Sequence, residues 1–214
     1  MDGKVKNVDV AQISNFSWYR DIFKRFFDFV FSGLGIIVLV IPMLIIALII
    51  KLDSPKEQIL FRQERIGKND RIFTILKFRS MRQDAPHEMA TKDLENAEAY
   101  ITPVGKFLRK ASLDELPQLF NVFKGDMSIV GPRPLIPNET KVLELRDEYG
   151  ASMILPGITG LAQVHGRDEI TDENKASYDR KYALNMSLLL DFTIIIKTGL
   201  DVVRSRGIHE GKQN

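Results

Sequence analysis

The strongest pattern in the chain is a run with no polar rhythm at all. From Phe29 to Ile50 the sequence reads FVFSGLGIIVLVIPMLIIALII, 22 residues without a charge. As one helix it would reach roughly 33 Å, enough to cross a bilayer core. It starts late, is too long for a signal-peptide core and lacks an A-x-A-like exit, so a cleaved leader is a poor reading. Pro42 sits inside the run and predicts a kink or a break. The flanks carry equal charge: Lys4, Lys6, Arg20, Lys24 and Arg25 before, Lys51, Lys56, Arg62, Arg65 and Lys68 after. A spanning helix would therefore have no preferred orientation. A helix–break–helix hairpin at Pro42 puts both basic ends on the cytoplasmic side; an ordinary kinked transmembrane helix competes with it. Ahead of the run, Trp18, Tyr19, Phe23, Phe26 and Phe27 alternate with basic residues, as in an interfacial lead-in helix.

Beyond Lys51 the pattern becomes globular. Gln58–Gln63 and Arg71–Phe78 are short apolar-rich runs around the turn cluster Gly67-Lys68-Asn69-Asp70, which predicts a β-hairpin. Gln83–Tyr100 is polar and reads as a loop with a weak helix. Val104–Lys110 reads as a short helix. Ser112–Lys124 has apolar residues at Leu113, Leu116, Leu119, Phe120 and Phe123, a helical stripe ended by Gly125. Pro132, Pro134 and Pro137 force an extended loop. Asn138–Tyr149 is expected to be helical, Pro156–Gly160 a turn, and Ala176–Leu184 and Leu188–Arg204 helices. The last carries a stripe of Ile195, Ile196, Leu200 and Val203. The expected division is a membrane segment over residues 1–52, a globular domain over 53–205 and a frayed tail over 206–214.

Composition narrows the chemistry. There is no Cys, which excludes disulfides, thiolate zinc sites and a Cys nucleophile. His87, His165 and His209 are the three histidines, too few for a multi-histidine metal centre, and they suggest no Ser-His-Asp arrangement. A formal net charge of +2 excludes a protein that coats nucleic acid non-specifically. Any basic site must be local.

Asp114 and Glu115 are adjacent acids, and they admit two readings. Ser112-x-x-Glu115 matches a capping box, and acids favour helix N-termini. Alternatively, two carboxylates among Arg109, Lys110 and Arg133 suit Mg²⁺-assisted phosphoryl transfer, one attacking phosphorus and the other holding the metal or a reactant. Gly131-Pro132-Arg133-Pro134 holds one Arg between two prolines, which stiffens its presentation to a phosphate; a plain turn with a solvated Arg is the bland alternative. Lys77 and Arg79 fall on one strand face and could meet a phosphate or merely protect a strand edge. Lone His165 reads as structural.

Taken in order, KRFFDF at Lys24, LFRQERIG at Leu60, KFRSM at Lys77, SLDELPQLFNVFKGDMSIVGPRP from Ser112 and PGITGLAQVHGR from Pro156 resemble the bacterial sugar transferase family, the small monotopic phosphoglycosyl transferases. The resemblance covers Lys24 to about Val203. It implies a helix-rich α/β fold with an N-terminal re-entrant membrane helix, from Phe29 through a break near Pro42 to Ile50, and a monotopic protein on the cytoplasmic face of the bacterial inner membrane. The family's break often reads Ser-Pro; here it is Ile41-Pro42. The implied reaction moves a sugar 1-phosphate from a UDP-sugar to a polyprenyl (undecaprenyl) phosphate, releases UMP, and opens glycoconjugate or polysaccharide synthesis. Asp114 would be the nucleophile and Glu115 its partner at Mg²⁺. Arg109 and Arg133, with Pro132 and Pro134 around the latter, would bind substrate, and Lys77, Arg79 and Asp191 are further substrate-binding candidates. Asp179 occupies the family's other C-terminal acidic position.

Two other classes compete: a glycosyltransferase that releases UDP, and a non-catalytic scaffold in which the dyad is only a helix cap. No heptad or interface stripe indicates an oligomeric state.

Overall fold

The computed structural model describes residues 10–86, 97–166 and 170–203. Lys4, Lys6, His87, His209, the middle of the Gln83–Tyr100 segment and the tail expected to fray lie outside them. The elements form a helix-rich α/β fold, as expected. A π-helical turn, Tyr19–Phe23, leads into α1 (Lys24–Asp53). The hairpin follows as β1 (Leu60–Ile66) and β2 (Ile72–Phe78), antiparallel from Leu60↔Phe78 to Ile66↔Ile72. Asn69 and Asp70 take positive φ in its turn, a conformation that short polar side chains tolerate. A single turn at Ala97–Tyr100 precedes α2 (Pro103–Lys110), capped by Thr102 Oγ1 accepting from Gly105 N at 2.9 Å. Then come α3 (Gln118–Lys124), β3 (Ser128–Val130), α4 (Thr140–Glu148), β4 (Gly157–Thr159), α5 (Asp172–Leu184) and α6 (Leu188–Val203).

Helix α1 departs from expectation at Pro42. The helix runs through the proline without interruption. Pro42 removes one helical bond, the one to the Val38 carbonyl. Leu39, Met43, Ile46 and Ile50 pack on both sides of it against Phe78 and Leu108, and that packing keeps the helix in register. The inward residues Lys24, Asp28, Ser32, Met43, Ile46 and Ile50 form one helical stripe. Near the N-terminal end, Arg25 donates to the carbonyls of Val122 (2.7 Å) and Phe123 (2.9 Å), closing the C-terminus of α3. Phe29 stacks on Phe123 with centroids 4.5 Å apart. Gly33 and Gly35 let α3 approach: a Cβ there would meet Phe123 at 3.2 Å and Leu119 at 3.3 Å. Both halves of α1 thus lie against the domain. The other face exposes Phe26, Phe31, Leu34, Ile37, Val38, Ile41, Leu44, Ile45, Leu48 and Ile49.

Two further expectations change, and the structure supplies a direction that the α6 stripe left open. Ser112–Lys124 is not one helix: a 3-10 turn, Leu113–Glu115, is separated from α3 by Pro117, whose ring ends the first segment. Pro156–Gly160 holds more than a turn, since Gly157–Thr159 pairs in parallel with β3, Ser128↔Gly157 and Val130↔Thr159. Finally, the apolar stripe of α6 faces outward. Asp191 and Ile194 are buried, whereas Leu188, Leu189, Phe192, Ile195, Ile196 and Leu200 are exposed. The inward face is partly polar because it closes on a buried charged knot, so the apolar face was free to turn away from the core.

That knot joins α1 to the sheet. Lys24 Nζ lies 3.1 Å from Asp28 and 2.9 Å from Asp191. Asp191 also accepts from the hydroxyls of Tyr19 and Tyr182, each at 2.7 Å. Asp28 accepts from Ile129 N at 3.1 Å. Burial is the main cause of the raised pKa values of both tyrosine hydroxyls, so they stay protonated as donors. A buried cluster of this kind fixes geometry more than it stabilises.

Candidate active site

Asp114 and Glu115 sit on the 3-10 turn between α2 and α3, and the turn does not cap a helix. Ser112 takes φ 53°, ψ 21°, in the left-handed region, and its side chain makes no capping bond. The capping-box reading fails on geometry. A non-glycine residue held there is locally strained, and such strain gathers at functional sites.

Neighbouring elements hold the turn. Asn121 of α3, buried, binds the β2 backbone twice: its Oδ1 accepts from Leu76 N at 3.0 Å and its Nδ2 donates to Thr74 O at 2.7 Å. This amide takes the place of a neighbouring strand and docks α3 on β2. The next residue of β2 is Lys77, whose Nζ lies 2.9 Å from Glu115 Oε1, with both side chains largely buried. Lys77 therefore meets the dyad itself. Asn121 was not among the sequence candidates; a lone Asn in an apolar helical stripe was the only signal. At the other end, α2 is pressed on the Ser80 backbone at Gly105, where a Cβ would lie 1.9 Å from Ser80 O. Arg109, in the last turn of α2, accepts from Ser112 N through its carbonyl at 3.0 Å and leads into the dyad turn.

The proline loop follows β3. Pro132 and Pro134 are buried and Arg133 is half-buried between them. Arg65 of β1 reaches this loop, donating Nη1 to Pro134 O at 3.2 Å. Its guanidinium pKa falls to about 10, chiefly through burial and then through the positive charge of Arg133. Glu115 and Glu139 act on it in the opposite direction. Arg65 thus feels the charges of Arg133, Glu139 and Glu115 together, while the ion pair that reaches the dyad is that of Lys77 with Glu115. Sequence reading had counted Arg65 only as a flanking charge.

Two candidates lie elsewhere. Arg79 is buried, with Nε donating to Gln58 O at 2.8 Å and its backbone N to Ile59 O at 2.9 Å; it ties the end of β2 to the strand entrance. Asp191 belongs to the knot described above, where its oxygens meet Tyr19, Tyr182 and Lys24 and anchor α6. His165 stacks on Tyr178 and its Nδ1 lies 2.8 Å from Leu161 O, a structural placement.

Paired acids on a strained turn, a lysine against one of them and an arginine held between prolines define an enzyme built to handle phosphate groups. The chain belongs to the bacterial sugar transferase family, whose model matches residues 19–205. It is 36% identical over 200 residues to the exopolysaccharide production protein ExoY of Sinorhizobium fredii, covering 87% of this chain and 88% of that protein. It is 38% identical over 202 residues to the undecaprenyl-phosphate galactose phosphotransferase of Salmonella typhimurium, covering 87% of this chain and 41% of that protein. An Aeromonas hydrophila UDP-N-acetylgalactosamine-undecaprenyl-phosphate N-acetylgalactosaminephosphotransferase is 41% identical over 186 residues, covering 80% of this chain and 43% of that protein. The chain spans less than half of the latter two.

Proposed function

We propose that this enzyme transfers a sugar 1-phosphate from a UDP-sugar to undecaprenyl or a similar polyprenyl phosphate and releases UMP. The observation that carries this reading is the uncapped dyad turn with Lys77 paired to Glu115; relatives named for undecaprenyl-phosphate sugar transfer support it.

In the first half-reaction a carboxylate oxygen of Asp114 attacks the donor's β-phosphorus. The bond from that phosphorus to the bridging oxygen breaks, and UMP leaves with the electron pair. In the second, an oxygen of the polyprenyl phosphate attacks the same phosphorus, and the Asp114 carboxylate is the leaving group. One pyrophosphate linkage replaces another, so little free energy is lost. Arg133 counters the charge on the transferring group, and Lys77 holds Glu115 in place.

Mg²⁺ fits this donor set. It takes one or two carboxylates together with substrate phosphates. Asp114 and Glu115 supply carboxylates, and among the described residues no cluster of three or more acids and histidines would bind a metal without a substrate. When bound, it would neutralise charge on the donor diphosphate.

We also propose that the protein rests on one leaflet, with both ends of α1 on the cytoplasmic side of the inner membrane. A helix leaving the domain to cross a bilayer touches it at one end; α1 touches it at Arg25 and again at Ile50. The outward apolar face of α6 gives a second lipid-facing surface. In this Cys-free chain, Ser14→Cys and Lys56→Cys should both react with an impermeant maleimide only from the cytoplasmic side. Labelling from opposite sides would establish a span.

The enzymatic test is nucleotide release in nanodiscs, with undecaprenyl phosphate, Mg²⁺ and a panel of UDP-sugars. UMP from one donor, lost on adding EDTA, is expected. UDP would instead identify a glycosyltransferase, and no nucleotide from any donor would favour the scaffold.

A further inference from the structure

Four consecutive carbonyls of the Arg133 loop are bound by donors from three elements, β4, α4 and β1. Pro132 O accepts from Gly157 N at 2.8 Å. Arg133 O accepts from Arg146 Nη1 at 2.9 Å, and Pro134 O from Arg65 Nη1 at 3.2 Å. Leu135 O accepts from Ile66 N at 2.9 Å. Two of the four residues are prolines, which have no N–H and a fixed φ. Little freedom is left to the peptide that carries Arg133.

The two middle donors are guanidinium groups, and each is braced from behind. Arg65 donates Nη2 to Gln63 Oε1 at 2.6 Å. Arg146 is buried, with Nε and Nη2 lying 2.8 Å and 2.7 Å from Asp179 Oδ2. Neutral donors would hold a loop with less desolvation, since a buried ion pair is a poor source of stability. Moreover, Arg65 puts a second positive charge beside Arg133, with Glu139 and Glu115 acting against that repulsion. Arg65 Nε is buried and has no partner. Such a placement is expected where charge serves binding.

We propose that Arg65, Arg146 and Asp179 are positioning residues for the phosphoryl transfer, gripping the Arg133–Pro134 segment so that Arg133 meets the donor diphosphate. Arg146 acts through the Arg133 carbonyl, and Asp179 acts through Arg146. The inference rests on the transferase reading above.

A double-mutant cycle tests it. In nanodiscs, with undecaprenyl phosphate and the donor found by the release assay, Arg65→Met should lower kcat/KM roughly 30- to 100-fold, mostly through the KM of the UDP-sugar, as small misplacements in active sites do. The KM of undecaprenyl phosphate should not move. Arg65→Lys, which keeps the charge, should recover part of the loss. In an Arg133→Ala background, Arg65→Met should cost no more than about threefold, because its effect passes through Arg133. Arg146→Lys should behave in the same way. Losses that multiply in the Arg133→Ala background, or that fall equally on both substrates, would overturn the clamp; the Arg65→Lys arm decides this if Arg65→Met or Arg146→Lys does not fold. Wild-type UMP release in the same preparation tests the transferase reading separately: its absence overturns both, whereas normal release with multiplying losses overturns the clamp alone.

Discussion

Replacing Asp114 by Asn should abolish UMP release, lowering kcat by roughly 10³-fold or more, the scale on which a lost covalent nucleophile is felt. Asn is isosteric and still accepts hydrogen bonds, but it lacks the charged oxygen that attacks phosphorus. The variant should still fold, because Asn fills the same volume as Asp and no helix cap is lost at this turn. Incubation of the wild type with donor alone should add the mass of one phosphosugar to the protein, and the variant should show none. Ser112 supplies the counter-test. Were the dyad a helix cap, Ser112→Ala would lose about 1 kcal/mol and Asp114→Asn would leave function intact. With Ser112 at φ 53°, no cap is there to lose, and Ser112→Gly should be neutral or stabilising because glycine accepts that conformation freely. An active Asp114→Asn protein would remove the covalent mechanism.

The parts of this fold that were legible in the sequence are those governed by local physics. The hairpin followed from two apolar runs around Gly67–Asp70, α4 from its helical spacing, and the end of α3 from Gly125 at φ 103°, while α2 was read only as a short helix. The parts that were not legible are set by partners distant in the chain. A three-residue strand such as β4 has too few positions to show a period, and its pairing with β3 is decided by backbone approach at glycines. The α6 stripe was visible but carried no sign of which way it faced. Only the burial of Asp191 against Lys24 and two tyrosines turns the apolar side outward. Pro42 predicted an interruption because local chemistry argues for one, yet packing on both sides carries the helix through. At the site, Asp114, Glu115, Arg109, Lys77 and Arg133 stood out as charges close in sequence to one another or to a strand end. Arg65, Asn121 and Arg146 did not, because each acts across tens of residues through a backbone carbonyl or amide, for which a sequence has no marker.

The second large effect is expected at Gly157, where nothing chemical happens. The crossing of β3 and β4 is closed by three glycines. A Cβ on Gly157 would lie 2.1 Å from Gly131 N and 2.4 Å from Thr159 O; one on Gly131 would lie 2.3 Å from Leu155 O, and one on Gly160 2.1 Å from Gly131 O. The obstacles are backbone atoms, which cannot swing aside as a side chain does. None of the three has a positive φ, so the requirement is space rather than conformation. Gly157→Ala must push the two strands apart. Gly157 N binds Pro132 O at 2.8 Å and Gly131 N binds Thr159 O at 2.8 Å, so separation also releases the first grip on the Arg133 loop. We expect a loss of about 3 kcal/mol or more, at the upper end for overpacking, which for a chain of this size corresponds to a fall in Tm of roughly 10 °C. Activity should fall with it even below the new Tm, because the loop carrying Arg133 starts at this crossing. Gly199→Ala is the matched control: nothing lies within 4 Å of its Cβ, and it sits inside α6, so the same substitution should stabilise by up to ~1 kcal/mol and leave UMP release unchanged. Equal, small effects at both positions would mean that β3 and β4 do not approach as closely as this fold requires.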